Sequence, residues 1–132
     1  MQLSEQVGFK DFITKNRDGI YQVLSTHGKK LSESTRAKIL LVRAILKKPK
    51  LILLDDFTYL LTKRDKNLIS DYLLTSNKEY SLLIKTSDEE IMKKCDRVIF
   101  MHEGKIIADG PFQEISQTNE YKVISDDLYE LN

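Results

Sequence analysis

Two adjacent carboxylates, Asp55 and Asp56, close the apolar run Leu51-Ile52-Leu53-Leu54. Carboxylate oxygens at the end of a strand either supply hard ligands for a cation or cap the turn that follows. Upstream, Leu31-Ser32-Glu33-Ser34-Thr35 opens a strongly apolar helical stretch that ends near Pro49. A polar helix start that leads into an apolar strand with two terminal carboxylates is the layout of a nucleotide site. Ser87 follows the next apolar run, Ser81 to Thr86, and so stands at the equivalent end of a second strand; it is also placed to N-cap a helix beginning at Asp88.

The elements that must position these groups are helical over the first fifty residues and alternate strand and helix thereafter. Ser4 is placed to cap a helix carrying Phe9, Phe12 and Ile13 on one face, and Arg17-Asp18-Gly19 ends it as a turn. The next helix puts Ala37, Leu40, Leu41, Ala44 and Ile45 on one stripe, widened by Ile39, Val42 and Leu46, the pattern of a helix buried on most sides. The continuous run Leu51 to Leu54 predicts a parallel strand covered on both faces. Lys63 to Asn77 predicts a helix with Leu68, Ile69, Tyr72 and Leu73 inward, and Ser81 to Thr86 the next strand. Asp88, Glu89 and Glu90 precede Lys93 and Lys94, the charge order that suits a short helix dipole. Arg97 to Met101 and Lys105 to Asp109 flank His102-Glu103-Gly104 as a hairpin, with Gly104 at positive φ. Pro111 is expected in the first turn of a last helix over Phe112 to Gln117. Past Thr118 the chain is polar and acidic, with Tyr121, Val123, Ile124, Leu128, Tyr129 and Leu131 available to dock. Strand, helix, strand, helix, strand argues for an α/β fold with a parallel sheet, whose ligands sit at the carboxyl ends of the strands. Asp55, Asp56 and Ser87 are the residues there.

Several classes of function lose support from composition. With 21 basic and 20 acidic side chains the net charge is +1, so bulk electrostatics give no reason to expect a nucleic-acid partner. No apolar run approaches the roughly 20 residues that span a bilayer, and the N-terminus lacks the apolar core of a signal peptide. Any membrane role is therefore expected to be peripheral. The single Cys95 excludes an internal disulfide and a cysteine-rich zinc site, and is expected to be a partly buried small residue. His27 and His102 are expected in a connecting loop and a hairpin turn.

The order of these segments resembles the second half of an ABC transporter ATP-binding domain of the exporter type. In that family a signature LSGGQ begins a helix that contains an Arg-Ala pair, and a hydrophobic strand then ends in Asp-Glu. The counterparts are Leu31 to Thr35, Arg43-Ala44 and Leu51 to Asp56, and the likeness continues through Asp96-Arg97-Val98-Ile99, Gly104-Lys105-Ile106 and Asp109-Gly110. It covers nearly the whole chain from Gln6 to about Ile115. The phosphate-cradling pattern GxxxxGK[ST] does not occur; in the family it lies in the first half of the domain, before the helical insert. The resemblance thus implies a half-domain with a partial P-loop NTPase-like parallel sheet. Residues 1–50 would be part of the α-helical signature subdomain, 51–117 the C-terminal part of the α/β core, and 118–132 a polar tail.

The resemblance implies a role for each site residue. Asp55 would hold a magnesium ion. Asp56 takes the place of the glutamate that orients the attacking water; it is one methylene shorter, and a misplacement of about 1 Å can cost about a hundredfold in rate. Ser87 stands where the family has a histidine that contacts the terminal phosphate, whose charge and reach serine lacks. Ser32, Glu33, Ser34 and Thr35 would face ATP bound by the partner subunit. Glu33 and Ser34 replace two glycines, and a carboxylate about 5 Å from a phosphate charge is repelled by about 3 kcal/mol at an effective dielectric near 20. Plain helix capping by Ser32, with Glu33 favourable in the first turn, is compatible with that placement. Thr62 stands where the family has an aspartate that communicates across the dimer. The implied cofactors are ATP and Mg2+ in a full-length context. The implied partners are the upstream half of the ATPase domain, a second ATPase domain and a transmembrane domain, at the cytoplasmic face of a membrane. Two functional expectations follow: a degenerate part of a transporter's ATP-binding domain, inactive alone, or a non-catalytic module for dimerisation or for binding a transmembrane partner.

Overall fold

A computed structural model describes residues 2–24, 28, 30–74 and 79–122. His27 and the apolar positions Val123, Ile124, Leu128, Tyr129 and Leu131 lie outside the described residues. The chain divides into two compact units, residues 1–87 and 88–132.

The first unit opens with α1 (Gln2–Gln6) and α2 (Lys10–Lys15). Ser4 lies inside α1 and does not cap α2: Gly8 adopts φ 65°, and the Phe9 N–H closes α1 by donating to the Ser4 carbonyl. The Phe9 and Phe12 rings stack at 5.1 Å, but Phe9 stands at the N-cap of α2 and not within the one helix the sequence predicts. After a 3-10 turn at Gly19–Tyr21, α3 runs over Glu33–Leu46. Lys48 at φ 50° and then Pro49 turn the chain out of it. Strands β1 (Leu51–Asp55) and β2 (Ser81–Lys85) pair in parallel, joined through a 3-10 turn at Phe57–Leu60 and helix α4 (Lys63–Leu74). The sequence predicts α4 through Asn77; residues 75–78 are outside the described part.

Two burial expectations are corrected. Helix α3 is covered on one face only, around Leu41, whereas Leu40 and Leu46 are exposed. Strand β1 alternates: Ile52 is buried, while Leu51 and Leu53 are 53% and 65% exposed, as is their β2 neighbour Leu83 at 59%. The pleat explains this, because successive side chains point to opposite faces and the core takes only one of them. That core joins Val7, Leu41, Ile69 and Leu73, with Leu54 and Leu82 packed against it.

In the second unit α5 (Glu89–Met92) precedes β3 (Val98–His102) and β4 (Lys105–Gly110), and α6 (Phe112–Ile115) follows Pro111 at the N-cap position. The expected hairpin is present, but its turn is only two residues, Glu103 at φ 47° and Gly104 at φ 74°; His102, expected in the turn, ends β3 and pairs with Lys105. The third strand therefore pairs antiparallel with the fourth, and among the described residues the parallel sheet is two-stranded. Met92, Phe100, Phe112, Ile115 and Tyr121 form a second core, in which the Tyr121 hydroxyl donates to Glu89 Oε1 at 2.8 Å. Arg97 forks onto Asp109 with two bonds of 2.6 Å, tying the first strand of the hairpin to the second. Cys95 is free and partly buried, as expected; burial pushes its thiol pKa up. Taken by its elements the chain is a mixed α/β fold with a small parallel sheet, compatible with part of a P-loop NTPase-like core. Among the described residues no helix is long and apolar enough to cross a membrane.

Candidate functional site

The carboxyl ends of β1 and β2 bring Asp55, Asp56 and Lys85 together. Register pairs Asp55 with Lys85, and the Asp56 N–H donates to the Lys85 carbonyl at 3.1 Å, so the backbone ladder fixes all three. Asp56 adopts the left-handed conformation, φ 40° and ψ 37°, which aspartate tolerates better than most residues. Its side chain makes no cap bond to the Phe57–Leu60 turn, so the capping alternative for this residue is not realised. The Lys85 ammonium instead donates to Asp55 Oδ1 at 2.8 Å and lies 2.9 Å from Asp56 Oδ2. The hydrogen bonds to Asp55 and then Asp56, with their charges, raise the Lys85 pKa well above the usual lysine range.

Ser87 is exposed two residues past β2. It is not the cap of α5. Asp88 holds that position with extended backbone, its Oδ1 accepting from the Glu90 N–H at 3.0 Å. The expected cap is displaced by one residue because a carboxylate at Asp88 is already in place for the first turn.

The polar start of α3 is a closed cap. Ser32 Oγ accepts from the Thr35 N–H at 3.2 Å and shares a 2.8 Å hydrogen bond with Thr35 Oγ1. Glu33 occupies the first turn, 3.9 Å from Arg36. Ser34 turns away from this end and donates to Asp65 Oδ2 at 3.2 Å. Thr62 has a local role: its Oγ1 accepts from the Asp65 N–H and so caps α4.

Asp65 belongs to a constellation that the sequence reading missed. Lys38 Nζ sits 2.6 Å from Asp65 Oδ2 and donates to the Gly8 carbonyl at 3.2 Å, so α3, α4 and the α1–α2 bend meet at one buried ion pair. Burial would raise the Asp65 pKa, but hydrogen bonds from Lys38, Thr62 and Ser34, with the lysine's charge, hold it below the usual carboxylate value. A signal was present: Ser34, Lys38, Leu41 and Ile45 recur at helical spacing, as do Asp65, Ile69 and Leu73. A charge on each apolar stripe asks for a partner on the other.

The expected ligands fit these residues poorly. Magnesium prefers several hard oxygens in near-octahedral geometry, and Asp55 and Asp56 already share an ammonium. Among the described residues no group of three or more His, Cys, Asp or Glu could hold a metal ion. A phosphate at the start of α3 would meet Glu33 and an N–H already taken by Ser32.

Comparison with known proteins identifies the setting of this fold. The chain is 29% identical over 119 residues, 90% of its length, to the beta-(1-->2)glucan export ATP-binding/permease protein NdvA of Rhizobium meliloti. It is 31% identical over 108 residues to the leukotoxin export ATP-binding protein LtxB of Aggregatibacter actinomycetemcomitans, and 29% identical over 108 to the alpha-hemolysin translocation ATP-binding protein HlyB of Escherichia coli, 82% of its length in each case. The chain is a relative of ABC transporter ATP-binding domains of the exporter kind. It spans only 20%, 15% and 15% of the lengths of these three proteins. No family model matches the chain.

Proposed function

We propose that the chain serves as the C-terminal part of the ATP-binding domain of an ABC exporter, and that it neither hydrolyses nor tightly binds ATP by itself. In this reading α3 and the β1–α4–β2 framework carry the family's mechanical role at the cytoplasmic face of a membrane. The upstream half of the domain, a second ATP-binding domain and a transmembrane domain are its partners. Asp55 and Asp56 keep the positions of the metal and water residues, and Ser32, Glu33, Ser34 and Thr35 those of the signature that faces the partner's ATP. Ser87 keeps the position of the phosphate-contacting histidine. The likeness to export ATP-binding proteins over most of the chain carries the first part of the proposal. The closed cap at Ser32 and the ammonium between Asp55 and Asp56 support the second.

Titration calorimetry of the chain with magnesium and ATP tests the second part: no saturable heat is expected, and submillimolar binding would refute it. The first part is tested in a hybrid completed by the upstream half of an active relative. Asp56→Glu, Ser87→His and Glu33→Gly with Ser34→Gly together are expected to raise phosphate release, with little from any one alone, because groups that act as a unit are not additive. No gain in a hybrid that folds and binds ATP would remove the assigned roles.

A second reading, a non-catalytic module that dimerises or binds a transmembrane partner, is favoured by the exposed Leu51, Leu53 and Leu83. Sedimentation as a strict monomer at high concentration would count against the dimerising form.

A further inference from the structure

We infer that Lys85 is the resident cation of the Asp55–Asp56 pair and that it excludes a divalent metal ion from these two carboxylates. The inference rests on the proposed reading of Asp55 as the metal residue and deepens it. An ordinary cross-strand ion pair would engage one carboxylate. Here the left-handed turn at Asp56 brings a second one onto the same ammonium, at 2.8 Å from Asp55 and 2.9 Å from Asp56. The arrangement follows from register. On the outward face of the sheet the pairs run Leu51 with Ser81, Leu53 with Leu83, and Asp55 with Lys85, so the ladder that aligns the leucines also delivers the lysine to the carboxylates. All three charged side chains are substantially exposed, so no packing forces the lysine into place and opposite charge is what holds it.

Two carboxylates that share an ammonium present one net negative charge to an incoming ion in place of two. A divalent cation must displace the lysine before it can take both oxygens. Because the groups are exposed, the effect is competition rather than occlusion. Two surface ion pairs of ordinary strength amount to about a tenfold handicap in affinity.

The test is a titration of the 132-residue chain with manganese chloride, read by paramagnetic broadening of the backbone amide signals of residues 54–57 and 84–86. The native chain is expected to show no site-specific broadening at concentrations where Lys85→Met does, with at least about tenfold tighter binding in the variant. Lys85→Arg should behave as the native chain, and Lys85→Met with Asp55→Asn should lose the broadening. Lys85→Gln serves as a second neutral variant if the Met form does not give a native-like spectrum. Equal broadening in the native chain and the neutral variants would overturn the inference while leaving Asp55 as a metal residue. No broadening in any variant would overturn both, because removing the lysine would then have exposed no cation site.

Discussion

Two Lys–Asp constellations in the same unit use identical chemistry in opposite surroundings. Lys38 and Asp65 are 11% and 13% exposed, with Ser34, Thr62 and the Gly8 carbonyl completing their hydrogen bonds. Lys85, Asp55 and Asp56 are 73%, 79% and 44% exposed. In the first, each charge has given up water and depends on its partner, so the pair is a structural joint between α3 and α4. In the second, water is available to every charge. Its consequence is therefore on the binding side of the ledger, in what else the carboxylates can hold.

The sharpest way to break the comparison is to cut one partner from each pair. Lys38→Met strands the Asp65 carboxylate and is expected to cost about 3 kcal/mol in urea unfolding. Adding Asp65→Leu to it should recover most of the loss, because an apolar pair does not carry the desolvation penalty. Full cost from the double variant would mean that the joint acts by more than its charges.

Gly8 sharpens the same side. A Cβ there would come within 2.8 Å of Asp65 Oδ1, and the residue sits at φ 65°. Gly8→Ala is expected to cost about 1–2 kcal/mol from backbone conformation, with a further loss if the ion pair must shift. An unchanged unfolding midpoint would show that the α1–α2 bend can relax without disturbing Asp65.

The acid limb of stability is a smaller effect with a definite sign. The Asp65 pKa is lowered on folding from its ordinary 3.8, so its contribution is fully present above that value and is lost as pH falls through the folded pKa. Asp65→Asn should flatten this limb of an acid unfolding curve below about pH 4. A curve parallel to the native one would assign acid sensitivity to other carboxylates.

The smallest expected effect is the most diagnostic. Lys85→Met should leave the urea midpoint unchanged within error, in contrast to Lys38→Met. A large loss would make the exposed constellation a structural joint as well and dissolve the distinction.

Much of the framework was legible because it rests on local signals. Ser32 with Thr35 is a helix start that needs only three residues to recognise. Glu103-Gly104 between two apolar runs is a hairpin turn that needs only positive φ. Where local signals compete the reading slipped: Ser4 and Ser87 are both acceptable caps, yet the glycine at Gly8 and the aspartate at Asp88 decide where α1 ends and α5 begins. Strand order puts Asp55, Asp56 and Ser87 at the carboxyl ends of the strands, but it does not reveal the lysine that shares the two aspartates. In the sequence Lys85 is one residue of a strand, and its hydrogen-bond partner Asp55 lies 30 positions away.

The sequence by itself determined most of the elements, their order and the Ser32 cap, because backbone preference, side-chain period and capping act within a few neighbouring residues. Only the tertiary structure decided which lysine meets which aspartate and which leucines stay in contact with water. Strand register brings Lys85 to Asp55. The packing of α3 against α4 brings Ser34 and Lys38 to Asp65, 31 residues on from Ser34. An apolar run such as Leu51 to Leu54 specifies a strand with either one covered face or two, and the core that packs against Leu54 selects the face on which Ile52 is also buried. Burial is a property of what surrounds a residue, so the same Lys–Asp chemistry becomes a joint in one place and an exposed cation clamp in the other.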